Sequence, residues 1–162
     1  MKMVICFFAA MIVSGTALPA KDALNPKYPV VSGTFKMTKE WSITLPCEFN
    51  RRFEKGSLVL WKPAFTIWVN IWGNEGDKNP YDQLGPVRED KSGRAFDIVE
   101  VKDGGIYRYG YRIDETRSDD KTVYAFYGYV AGKSGYTQMA FYFDSKSDVD
   151  TAKAIWMGIK EM

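Results

Sequence analysis

The stretch Phe65–Trp72, FTIWVNIW, decides how the rest of the chain is read. Side chains along a strand point alternately to the two faces of a sheet. Phe65, Ile67, Val69 and Ile71 therefore share one face, and Thr66, Trp68, Asn70 and Trp72 share the other. Both faces carry large apolar groups. Apolar residues on both faces of a strand mark a sheet covered on both sides. The same doubled pattern returns in TVYAFYGYV (Thr122–Val130) and YTQMAFYFD (Tyr136–Asp144).

Working outward, apolar runs alternate with turn residues, the pattern of consecutive hairpins. SLVLW (Ser57–Trp61) reaches FTIWVNIW through Lys62-Pro63-Ala64. FDIVEV and IYRYGYRIDE flank Lys102-Asp103-Gly104-Gly105, where the two glycines supply the positive φ of a tight hairpin. Gly132-Lys133-Ser134-Gly135 is a second such loop. WSITLP places Trp41, Ile43 and Leu45 on one face and is expected to end at Pro46. Asn79–Ser92 has helical character that Gly85-Pro86 must break or start.

The C-terminal segment reads as a helix. Ser147 is the expected N-cap, with Asp148 and Asp150 at the positive end of the helix dipole. Val149, Ala152, Trp156 and Ile159 then form one apolar stripe, with Trp156 as a core anchor and Lys153 and Lys160 facing out. The expectation is a single α+β domain over residues 21–162. It has a largely antiparallel twisted sheet of about six or seven strands, a C-terminal helix and one or two further short helices. At ~4.8 Å per strand the sheet is roughly 30 Å wide, and one helix, about 10–12 Å across, cannot cover a face alone. Either other segments cover the second face, or part of it is a contact surface.

Residues 1–20, MKMVICFFAAMIVSGTALPA, read as a secretory signal peptide. Lys2 is followed by an apolar run from Met3 to Val13, too short to span a bilayer core of about 30 Å, and then by small residues. Cleavage is expected after Ala20, or else after Ala17. The reading implies export, with the periplasm as the expected destination and no integral membrane segment in the mature chain. Cleavage leaves 142 residues, enough for one core. With Lys2 gone, 21 basic residues face 20 acidic ones, so the net charge is +1 and no nucleic-acid footprint is present. Aromatic residues make up 15% of the chain, which rules out a disordered composition. Cys47 is then the lone cysteine, so no internal disulfide forms. Its apolar neighbours Leu45 and Pro46 place it in the interior.

The order WSITLP, GSLVLW, TIWVNIW, two further hairpins and GYTQMAFYFDSKSDVDTAKAIWMGI resembles the PsbP-like superfamily of α/β/α sandwiches. Photosystem II extrinsic subunits and bacterial DcrB-like envelope proteins belong to that group. The likeness runs from about Thr34 to Ile159. It rests on a strand running into Leu-Pro and on a final aromatic hairpin feeding a helix. It implies an adaptor, chaperone or assembly role without catalysis. It carries no site motif, so no functional residue is transferred by it.

The chain contains no histidine. Nucleophile activation by imidazole and metal sites built on imidazole are therefore excluded. GNEGDKNPYD offers Asn74, Glu75, Asp77, Asn79 and Asp82 as oxygen ligands, but without EF-hand spacing. DETRSDDK, with Asp114, Glu115, Asp119 and Asp120, reads as a polar hairpin tip. Asp97 and Glu100 are the best-placed strand carboxylates, yet a separation of three puts them on opposite faces. No enzymatic activity and no cofactor are expected.

Binding residues are sought instead among the aromatic rows. Tyr107, Tyr109 and Tyr111 share one strand face, while Arg108 and Arg112 flank Gly110 on the other. Trp, Tyr and Arg dominate protein interfaces. The leading reading is a secreted protein that binds another envelope or secreted protein: an immunity protein, inhibitor, chaperone or assembly factor. A homodimer stays open. The alternative is a small-ligand or carbohydrate-binding module using Trp61, Trp68 and Trp72. Against both stands the reading in which these rings simply pack under the chain's own helices and loops.

Overall fold

In the computed structural model, residues 23–89, 93–116 and 122–162 are described. FTIWVNIW forms most of an inner strand. In chain order the strands are β1 (Val30–Lys36), β2 (Trp41–Glu54), β3 (Ser57–Lys62), β4 (Phe65–Gly73), β5 (Phe96–Asp103), β6 (Ile106–Thr116), β7 (Thr122–Ala131), β8 (Gly135–Phe143) and β9 (Lys160–Glu161). The helices are α1 (Pro80–Gln83), α2 (Gly85–Glu89) and α3 (Val149–Met157). All strands join one antiparallel sheet in the order β1-β2-β3-β4-β8-β7-β6-β5, and β9 pairs with β2. The α+β class is as expected. The strand number is not: among the described residues nine replace six or seven. β9 has two residues, too few to show any alternation, and β1 carries Gly33 and Ser32 within its run.

Pro46 breaks a ladder rather than a strand. Gly33 pairs with Leu45 and Val31 with Phe49, so Pro46-Cys47-Glu48 bulges out while β2 continues to Glu54. Proline has no N–H to donate, and a bulge is where a strand tolerates it. Cys47 rides on this bulge and is exposed, which corrects its expected burial. The opposite edge strand is irregular too. The β5–β6 register shifts between Phe96 and Val99, and Asp97 takes φ of 51°.

The hairpins follow the sequence closely. Gly104 and Gly105, at φ of 54° and 83°, form the two-residue turn between β5 and β6. Pro63-Ala64 turns β3 into β4, and the Gly132–Ser134 segment turns β7 into β8.

One side of the sheet is closed by α3. Ile67, Val69, Phe126, Met139 and Phe141 are buried there with Ala152, Ile155 and Trp156 of the helix. Trp156 is 1% exposed, as a core anchor should be, and its indole N–H donates to the Tyr129 carbonyl at 3.2 Å. The helix begins later than expected. Ser145, not Ser147, supplies the cap: its Oγ accepts from the Ser147 N–H and opens a 3₁₀ turn over Lys146–Asp148. Ser147 is thus consumed as a donor one turn before α3 starts. Ile159 lies past the helix end, where Arg108 Nη2 donates to its carbonyl at 2.8 Å and to that of Met157 at 3.5 Å. The guanidinium so meets carbonyls that the helix leaves unpaired.

The other side is covered in part by α1 and α2. Leu84, fully buried between them, sits on Tyr107, Tyr109, Tyr111 and Tyr129, with Val87 packed alongside. Asn79 caps α1, its Oδ1 accepting from the Asp82 N–H at 2.9 Å. The break at Gly85-Pro86 falls where the sequence places it. No helix among the described residues is long and apolar enough to cross a membrane. The leader, residues 1–20, lies outside the described residues.

Candidate functional site

The aromatic rows divide into buried and accessible members. Tyr107 and Tyr109 are 2% and 3% exposed under Leu84. Arg108 and Arg112 are each 6% exposed on the α3 side. Arg112 Nη2 lies 3.3 Å from Asp114 Oδ1, and its guanidinium stands over the Phe96 ring. These four side chains pack mainly within the chain, so they are corrected from contact residues to packing residues, although an edge of Tyr107 lines a separate cleft of about 350 Å³ with Tyr81, Lys102 and Gly104. The physical reason is that Leu84 lies on the tyrosine side of β6, while Arg108 folds against the chain just past α3 and Arg112 against Phe96 and Asp114. Burial pushes the Arg108 pKa down, with Asp103 opposing the shift. Burial raises that of Tyr109.

The tryptophans behave differently. Trp61 is half-buried, with Tyr28 packed edge-on at 4.8 Å and the Arg52 guanidinium 4.6 Å above it. Trp68 is half-buried, in register with Val59 on β3 and Ala140 on β8. Trp72 is 49% exposed at the end of β4. Its cross-strand partner is Tyr136, and the rings stack at 6.3 Å with 25° between their planes.

Trp72 and Tyr136 form one wall of a cleft of about 290 Å³, completed by Asn74, Glu75, Lys78, Gln83 and Pro86. A second cleft of about 290 Å³ adjoins it, lined by Pro86, Val87, Tyr111, Tyr129, Tyr136 and Gln138. Pro86 and Tyr136 line both, so the two are neighbours on the side of the sheet that bears α1 and α2. Of the expected site residues, this arrangement brings together Trp72 and Tyr111. Trp61 and Trp68 lie apart from it. Tyr136, Gln138 and Gln83 were not foreseen. The alternation of YTQMAFYFD puts Tyr136 and Gln138 on one face, but only the pairing of β4 with β8 brings them beside Trp72.

The walls are held by their own hydrogen bonds. Gln83 Nε2 donates to the Gly132 carbonyl at 2.7 Å and to that of Lys78 at 3.2 Å. Asn74 Nδ2 donates to the Lys78 and Lys133 carbonyls, and its Oδ1 accepts from the Lys78 N–H. The amides of Asn74 and Asn79 are thereby committed to shaping the loop. Among the described residues, no group of three or more His, Cys, Asp or Glu is placed to hold a metal ion.

Several polar groups in and around the cleft have no hydrogen-bond partner among the described residues. Gln83 Oε1 is buried in the wall without a partner. The hydroxyls of Tyr129 and Tyr136 and the amide of Gln138 make no hydrogen bond to other described residues. Burial raises the Tyr136 pKa, with Tyr129 and Glu75 adding to the shift. Its hydroxyl thus stays protonated and able to donate.

The strand carboxylates do not converge. Asp97 accepts from Lys153 of α3 at 2.7 Å, while Glu100 accepts from the Tyr107 hydroxyl at 2.6 Å on the other side of the sheet. Glu115 accepts from the Tyr127 hydroxyl at 2.9 Å, and Asp119 and Asp120 lie outside the described residues.

No family model matches the chain, and no curated protein matches it. Among solved structures, a crystal structure of a protein from Bacteroides thetaiotaomicron, at 1.50 Å resolution, superposes with a TM-score of 0.64 at 11% identity. The match covers 81% of this chain and 48% of that one, so this chain spans about half the length of its structural neighbour. The likeness is one of fold alone.

Proposed function

We propose that this chain is a non-catalytic binding protein, exported by its leader, whose ligand lies in the cleft beside Trp72 and Tyr136. The observation that carries this reading is the half-exposed Trp72 indole, stacked on Tyr136 at the mouth of a preformed concavity. Ligand sites are concave, largely formed in advance and marked by a few converging polar groups. The absence of histidine and the separation of Asp97 from Glu100 support binding without catalysis. The helices on both sides of one antiparallel sheet support the PsbP-like relationship, in which binding roles prevail.

A second reading, docking of another envelope or secreted protein, is favoured by the half-buried pair Trp61 and Trp68 with Arg52 above Trp61. Fluorescence separates the two. Small ligands that quench Trp72 emission in the wild type, and not in Trp72→Phe, support the cleft. A protein partner recovered from an envelope extract by the wild type and lost in Trp68→Ala, with no small-ligand quenching at Trp72, overturns it in favour of docking.

A further inference from the structure

We infer that the ligand class of this cleft is a neutral oligosaccharide of at least two pyranose units; the inference rests on the cleft reading above. Three features converge on it. The first is the Trp72–Tyr136 pair. The face of an aromatic ring is its electron-rich side. A pyranose ring presents a face of weakly positive C–H groups, and the two faces attract while excluding water. Trp72 offers such a platform near the end of β4, half open to solvent.

The second is the set of unpaired polar groups. A sugar hydroxyl both donates and accepts, so it pairs with carboxamides and phenols alike. Tyr129, Tyr136 and Gln138 offer that mixture, with no hydrogen-bond partner for these groups among the described residues. Gln83 Oε1 is buried in the wall, and its amide, held by the two carbonyls that Nε2 reaches, shapes the cleft rather than contacting what fills it. An apolar ligand would leave this set unsatisfied at a cost for each group. A charged ligand has little reason to choose the site, because Glu75 and Lys78 at the rim oppose each other in sign.

The third is length. Two clefts of equal volume share Tyr136 and Pro86 as a common divider. One ring stacks at Trp72. The next passes Tyr136 to meet Gln138 and Tyr129. A chain of linked rings fills both, whereas a single ring fills one.

The test is calorimetric titration of the purified chain with glucose, maltotriose, cellotriose and tri-N-acetylchitotriose, and with the uncharged apolar dye N-phenyl-1-naphthylamine. At least one trisaccharide is expected to bind about tenfold or more tighter than glucose. Trp72→Ala and Gln138→Ala are each expected to weaken that binding about tenfold, the scale of one lost anchor. Trp72→Phe should retain part of it, which separates loss of stacking from loss of fold. Phe53→Ala, on β2 away from the cleft and 67% exposed, should leave it unchanged. If no saccharide binds at millimolar concentration while the uncharged dye binds in a Trp72-dependent way, the oligosaccharide class is overturned and the cleft reading stands. If nothing binds at Trp72, both fall.

Discussion

Trp156 lies against the bare backbone of Gly128, so closely that a Cβ there would come within 2.6 Å of the indole Cδ1. Directly across the ladder from Gly128 stands Gly110, where a Cβ would meet the Phe126 ring at 2.6 Å. Two glycines in register open a notch in the sheet, and α3 drops its tryptophan into it. Gly128→Ala should destabilise the protein by about 1–3 kcal/mol through overpacking. Trp156→Ala should cost about 3–5 kcal/mol. The double variant should cost less than the sum of the two, because the alanine methyl then enters the vacated space. Urea denaturation of the four proteins checks this.

Glu161 gives the fold an acid-sensitive tie. Its carboxylate accepts from the N–H of Lys133 at 2.9 Å and from the N–H of Ser134. Burial pushes its pKa up, but the hydrogen bonds from Ser134 and Lys133 outweigh that, and the net shift is downward from 4.5. A carboxylate with a lowered folded pKa contributes stability that is present above its unfolded value and lost as pH falls through the folded one. Stability measured from pH 6 downward should therefore fall below about pH 4.5, and Glu161→Gln should flatten that part of the profile.

Tyr107 gives an alkaline counterpart. Burial, followed by its hydrogen bond to Glu100, pushes its pKa up to about 12, although Arg88 acts in the opposite direction. Here the folded state favours the protonated form. The contribution is complete below the ordinary value of 10.0 and is lost as pH rises towards about 12. Absorbance at the phenolate band should show a late-ionising class of tyrosines that shrinks in Tyr107→Phe. An early, uniform titration of all tyrosines would contradict the burial.

The bulge at Pro46-Cys47-Glu48 makes a prediction about reactivity. Cys47 is exposed, so a chain carrying Cys6→Ser should be labelled at Cys47 by a maleimide without denaturant. Cys47→Ser should leave the urea midpoint unchanged, since no packing is lost. Protection of the thiol until global unfolding would place it in the core instead.

The local rules were legible and the long-range ones were not. Face alternation separated Ile67 from Trp68 and Tyr109 from Arg108. The Gly104-Gly105 turn was legible because the type of turn demands those residues. Cys47 was misplaced because its apolar neighbours suggested burial, whereas Pro46 opens a bulge that carries it outward. The cleft was hidden for a topological reason. β4 pairs with β8, bypassing the whole of β5 to β7, and this alone sets Trp72 opposite Tyr136. Their separation along the chain carries no period that could announce it. The buried tyrosines were ambiguous for a different reason: only the turn at Leu84 decides which of them is covered, and a four-residue helix leaves little trace in a sequence.

The irregular registers at the two outer strands bear on how many copies of this molecule can gather. An even strand at the rim of a sheet invites a tenth strand, then an eleventh, from other molecules. Here β1 is disrupted opposite Pro46, and β5 is kinked at Asp97. Neither rim offers an uninterrupted row of backbone donors and acceptors. Crowding should therefore bring these molecules together only through their faces, in small closed groups, and never as an open-ended ribbon.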